Sequence, residues 1–150
     1  MKNPESLKNF ITVGNAVEDA EKNNSNGWFI GHFMTPCDDL RCVHDVEVKW
    51  GMHLAGENKE IPAIRKKATT LAILISGSFA LEFPEYNNSI VLETIGDYAI
   101  FAPGITHGWK ALKDSVILTI RWPSISNDAE EVISTTPKSL SKLFPGVSLE

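Results

Sequence analysis

The chain has 150 residues, a formal charge of −5 at pH 7, 43% hydrophobic and 22% charged side chains. These values fit one globular domain and exclude a disordered chain or a coiled coil. The longest uninterrupted apolar run, residues 71–75, is too short for a membrane-spanning helix, and nineteen acidic against fourteen basic side chains argue against nucleic acid or an anionic membrane as partner. A domain of this size buries about 70% of its unfolded surface, so no disulfide or metal staple is required.

Residues 4–22 predict a helix packed outside the domain, with Leu7, Phe10, Ile11, Val17 and Ala20 at helical spacing on one face. Asn3 and Pro4 suit its start, Gly14 weakens its middle, and the polar stretch 23–27 ends it. No apolar leader follows Lys2, so no secretory signal is expected, and the cytoplasm is the default location.

From residue 28 the pattern turns to strands, expected at 28–34, 45–54, 69–76, 78–83, 90–94, 98–101, 107–112 and 116–122. Phe79, Leu81 and Phe83 alternate with Ser78, Ala80 and Glu82, and Val116, Leu118, Ile120 and Trp122 alternate with Ile117, Thr119 and Arg121. Gly77, Gly96-Asp97, Pro103-Gly104 and Lys113-Asp114 supply the turns. Many short strands with frequent turns indicate an all-β sandwich or barrel. Thr136 to Leu140 reads as the start of a short helix reaching Phe144, and Leu149-Glu150 reads as a cloning scar without functional weight.

Residues 96–107 read Gly-Asp-Tyr-Ala-Ile-Phe-Ala-Pro-Gly-Ile-Thr-His, and residues 71–83 read Leu-Ala-Ile-Leu-Ile-Ser-Gly-Ser-Phe-Ala-Leu-Glu-Phe. Together they resemble the two halves of the cupin signature, over about residues 45–122. The 45–53 strand and the Arg121-Trp122-Pro123 ending resemble a small cupin subgroup of uncharacterised bacterial proteins. The resemblance implies a double-stranded β-helix, a jelly-roll barrel over residues 27–124, flanked by an N-terminal helical extension (1–26) and a C-terminal extension (125–150). It also implies a homodimer and a site inside the barrel.

Cupins typically hold a divalent metal with a His-x-His pair, a glutamate and a second-half histidine. Here the pair's slot reads Ile64-Arg65-Lys66 and the glutamate's falls on Thr69 or Thr70, so the usual ligand set is absent and only His107 matches. No cofactor is therefore specified, and the barrel is expected to carry no stoichiometric transition metal. A relocated site using His53, His107 and Glu47 is the metal-dependent alternative.

Strand parity places Glu47, Lys49, Gly51 and His53 on one face of the 45–54 strand, with Val46, Val48, Trp50 and Met52 on the other. The charged face either meets solvent, as in an ordinary antiparallel sheet, or lines the barrel. In the second case His53 and His107 are candidate proton carriers in one cavity. Lys49, Trp109 and Arg121 are then ligand-binding candidates, the cations for an anion and the indole for stacking. The run Arg65-Lys66-Lys67 reads as a solvated loop or as part of the barrel mouth. His32, Cys37, Cys42 and His44 form a second cluster that could bind zinc, although free structural cysteines suit its spacing better. The function expected is small-molecule binding, with metal-free acid/base chemistry on a small anion if the protein is an enzyme; the alternative is a non-catalytic ligand-binding or regulatory module.

Overall fold

The computed structural model describes residues 10–22 and 25–133. One short helix, α1 (Ala16–Lys22), precedes ten strands: β1 (Trp28–Ile30), β2 (Glu47–His53), β3 (Ala63–Arg65), β4 (Thr69–Ser76), β5 (Phe79–Phe83), β6 (Asn88–Leu92), β7 (Tyr98–Phe101), β8 (Gly108–Ala111), β9 (Ser115–Trp122) and β10 (Ala129–Glu131). All strand pairs are antiparallel. One sheet has the order β1-β2-β9-β4-β7 and the other β6-β5-β8. The β10-β3 ribbon joins the second sheet where the Ala63 and His107 backbones exchange both hydrogen bonds, at 3.0 and 2.9 Å.

The helix is much shorter than the 4–22 span expected. Residues 10–15 are not helical, and positions 4–9 and the expected C-terminal helix lie outside the described residues. Asn15 explains the late start, because its Oδ1 accepts the backbone N–H groups of Val17 and Glu18 and so caps the first turn. The proposed apolar face is not buried: Phe10 is 79% exposed, and no residue of α1 is buried. A seven-residue helix can be held by its cap and by contacts with β1 and β2 without an apolar stripe.

The barrel core forms where inward residues of the two sheets meet. Ala72, Leu74 and Ile117 come from the first sheet and Phe79, Leu81 and Phe83 from the second, with Leu92 and Phe101 closing the cluster. Period-2 alternation decides which residues these are. In β4 the even positions 70, 72 and 74 are buried while their neighbours are only partly covered. Registers across β2, β9 and β4 then stack the inward side chains in levels. Gly51, Ile117 and Leu74 form one level, Lys49, Thr119 and Ala72 the next, and Glu47, Arg121 and Thr70 the third. Apolar volume fills the first level, small residues hollow the second, and charge enters at the third. The outward rows of the same strands are apolar, Trp50-Leu118-Ile73-Tyr98 and Val48-Ile120-Leu71-Ile100.

Two strands escaped the sequence pattern. Ala63–Arg65 and Ala129–Glu131 are three residues each, too short to show a period. Buried Asp128 organises this edge, its carboxylate accepting the N–H groups of Lys67 (2.8 Å) and Ala68 (3.0 Å).

Candidate functional site in the barrel

The hollow second level opens into a cavity of about 270 Å³. All five residues singled out from the sequence, Lys49, His53, His107, Trp109 and Arg121, line it. The charged face of β2 therefore points inward over its Lys49 and His53 positions and is not the solvated face of a sheet. An outer vestibule of about 520 Å³ shares Lys49, His53, Lys59 and Trp109 with the cavity and reaches Ala20 of α1.

Three further contributors were not named as site residues from the sequence. Lys59 arrives because its segment runs beside β8, its N–H bonded to the Trp109 carbonyl at 2.9 Å. Arg65 arrives on β3, while its neighbours Lys66 and Lys67 stay exposed, so the basic run is split between cavity and solvent. Trp28 lies under two cations, with the Arg121 guanidinium 4.6 Å and the Lys49 amine 5.8 Å from its ring centre. A sequence signal existed only for Arg65, through its basic run.

The cavity's electrostatics are one-sided. Lys49, Lys59, Arg65 and Arg121 line it, and no carboxylate does among the described residues. Burial is the main cause that pulls Lys49 down to about 8 and Arg121 down to about 10, with the neighbouring cations adding to each fall. Glu47 opposes the shift at Arg121, standing 3.5 Å from its Nη1. Three buried donors in the wall, Arg65 Nε, Thr70 Oγ1 and Arg121 Nε, have no hydrogen-bond partner among the described residues. Such groups are costly unless something accepts from them.

The two histidines differ in setting. His107 Nδ1 donates to the Ile105 carbonyl at 3.1 Å, which fixes the neutral tautomer with a basic Nε2 on a ring that lines the cavity. Burial pushes its pKa down to about 4, with Arg121, Arg65 and Lys59 assisting and the Ile105 bond opposing. The folded state thus resists protonating His107 while the unfolded chain takes the proton near its ordinary 6.5. The stability linked to this group is complete above pH 6.5 and is lost as pH falls through about 4. Urea titrations at pH 6.5, 5 and 4 should show this loss, and His107→Asn should show a smaller one.

His53 packs 4.2 Å from the Trp109 ring centre and 5.4 Å from that of Phe79. Burial and then Lys49 lower its pKa, while Glu57, 3.6 Å from Nδ1, opposes them. Its ring folds back along β2 over Gly51. A Cβ at Gly51 would stand 2.9 Å from His53 Nε2 and 3.4 Å from the Ile117 carbonyl. Gly51→Ala should therefore displace the imidazole, seen as moved His53 side-chain resonances in NMR, with a melting temperature within a few degrees of the parent's.

A divalent metal does not fit this chemistry. Apart from His53 and His107 the wall offers cationic, hydroxyl and apolar side chains and, among the described residues, no carboxylate, short of the three imidazole or carboxylate donors that a catalytic divalent ion takes. Glu47, the carboxylate of the relocated alternative, is not part of the cavity wall; it accepts from Ser124 Oγ at 3.0 Å and faces Arg121. Among the described residues no group of three or more His, Cys, Asp or Glu is placed to hold a metal. The same holds for His32, Cys37, Cys42 and His44: both cysteines are free thiols, and His32 Nδ1 lies 2.6 Å from Ser124 Oγ instead.

No family model matches the sequence, and no curated protein does. Solved structures do match the fold. An uncharacterised conserved protein with a double-stranded β-helix domain from Klebsiella pneumoniae is 19% identical, with a TM-score of 0.52 over 61% of this chain and 78% of that one. KdgF from Halomonas sp. is also 19% identical, with a TM-score of 0.50 over 57% of this chain and 74% of that one. No helix among the described residues is long and apolar enough to cross a membrane. The antiparallel barrel, the glycine hairpin at Gly77 and the turn before His107 thus form a double-stranded β-helix, the jelly-roll fold that the sequence resemblance implies.

Proposed function

We propose that the barrel binds a small organic anion and performs metal-free acid/base chemistry on it. One observation carries this reading: four cationic side chains and no carboxylate, among the described residues, line a cavity in a chain whose overall charge is −5. Glu47 beside Arg121 offsets part of the cost of burying these like charges, and a ligand of opposite sign offsets the rest. The donors of Arg65, Thr70 and Arg121 that lack a protein acceptor supply the directional contacts such a ligand needs. A volume of about 270 Å³ suits a metabolite-sized molecule rather than a polymer.

Two imidazoles in the same wall favour chemistry over passive binding. His107 carries a basic Nε2, and both rings are held toward the neutral form by burial. Each is thus able to accept a proton from a bound substrate while Lys49 and Arg121 hold its anionic group. A non-catalytic module would be expected to fill this space with Trp50, Trp109 and Phe side chains. Trp28, Trp109, Phe79 and Phe101 do line the wall, yet about 270 Å³ is left between them, and strand parity puts Trp50 on the outward face of β2.

The apolar outward rows of the large sheet, with Tyr98 at 64% and Ile100 at 55% exposed, support a homodimer formed through that face. Free Cys37 and Cys42 suit a reducing, cytoplasmic setting.

Calorimetric titration with pyruvate, succinate and inorganic phosphate tests the reading, with glycerol as the uncharged control. Carboxylates should bind and glycerol should not; equal or absent heats for all four would overturn it. The sign of the pH dependence follows from Lys49. Its charge is present below about 8 and fades above it, so carboxylate affinity should fall between pH 7 and pH 9.

A further inference from the structure

We infer that Lys49 is an amine nucleophile that captures the carbonyl group of a 2-oxo acid as an imine. The inference rests on the anion-site reading and adds a covalent step to it. Lys49 projects from the middle of β2 to the junction of cavity and vestibule, since it lines both. Its Nζ stands over the Trp28 ring, 5.8 Å from the centre, and has no carboxylate within ion-pair distance among the described residues. A lysine kept only for structure would normally be paired or would snorkel to water. Lys49 instead ends in a half-apolar chamber facing Arg121 of β9, Arg65 of β3, Lys59 beside β8 and His53 of its own strand.

That setting is what an amine nucleophile requires. Desolvation and neighbouring cations favour the uncharged amine, which alone can attack a carbonyl carbon. With a pKa of about 8, an appreciable share of Lys49 is free amine near neutrality, whereas an ordinary lysine at 10.5 has almost none. Arg121, against the same indole, is placed to hold a carboxylate next to the carbonyl under attack.

The proton carrier sits on the same face two inward positions along. Gly51 separates Lys49 from His53 and presents no side chain, and the His53 ring folds back over it. In the step, the Nζ lone pair forms the C–N bond as the carbonyl π electrons move to oxygen. His53 relays one proton from the nitrogen to that oxygen, giving the carbinolamine, and then relays the second from the nitrogen to the departing hydroxyl. The C–O bond breaks, one water leaves, and the product is the Lys49 imine; no oxidant or reductant is consumed.

The full chain is incubated with pyruvate and cyanoborohydride, which reduces iminium ions, and then analysed by intact mass and peptide mapping. The expected result is one adduct per chain, on Lys49, enriched about tenfold or more over any exposed lysine, as a larger share of free amine implies. Lys49→Arg, with folding checked by circular dichroism, should give no adduct. Lactate, which lacks the carbonyl, should bind without forming one. Binding of lactate and pyruvate with no adduct, or with adducts spread over surface lysines or seated on Lys59, would overturn the inference and leave the anion site standing. Failure of both acids to bind would instead overturn the anion site, and the inference with it. The peptide map of the parent protein decides the matter even where the variant does not fold.

Discussion

Arg121→Met should weaken carboxylate binding by roughly 30- to 100-fold while leaving the melting temperature unchanged or higher. The loss follows from removing one charge-assisted hydrogen-bonding group, about 2–3 kcal/mol. The stability side follows from the balance at the guanidinium. Burial and Arg65 outweigh the help from Glu47, since the pKa of Arg121 is pulled down to about 10 despite the nearby carboxylate. Its Nε also has no partner among the described residues. The folded chain therefore carries Arg121 at a cost, and an apolar side chain of similar length relieves it, while Glu47 keeps its bond from Ser124. Calorimetric titration and differential scanning calorimetry on the same sample check both halves. A large drop in melting temperature with binding intact would identify Arg121 as a structural ion-pair partner.

Leu74→Ala should lower stability by about 2–5 kcal/mol, the range for emptying a fully buried leucine site. Leu74 is 0% exposed and lies among Phe79, Leu81, Phe83 and Ile117 where the two sheets meet. Its neighbours belong to paired strands on both sides, so the cavity cannot collapse without breaking a ladder. At about 2–4 °C per kcal/mol for a chain of this length, the melting temperature should fall by roughly 10 °C. Anion binding should persist below the new midpoint, because Leu74 does not line the cavity. Thermal unfolding followed by circular dichroism measures it.

The barrel was legible because antiparallel strands with one buried face alternate. Residues 79–83 and 116–122 show this in the sequence, and their registers carry Lys49 and Arg121 inward. Parity alone could not say which face of β2 was the inner one, since Val48 and Trp50 are as suited to a core as any residue. The answer lies in the levels, where Gly51 and Ala72 leave the room that Lys49 occupies. Lys59 and Arg65 were harder to place because their positions depend on distant backbone bonds, to Trp109 and across the Ala63–His107 bridge. The basic run at 65–67 divides because Asp128 binds the backbone of Lys67 and Ala68 and leaves Arg65 on the strand before the bend. The apolar spacing over residues 4–22 predicts too long a helix because it carries no sign of the cap at Asn15, which competes with helical continuation upstream.

Anomalous diffraction from crystals soaked in bromide tests the anion site most directly, because it locates a small anion without presuming the natural ligand. A leading anomalous peak inside the barrel, within hydrogen-bond reach of Arg65 and Arg121, is the result the charge arrangement predicts. Bromide found only on the outer surface, with none in a cavity lined by four cations, would contradict it.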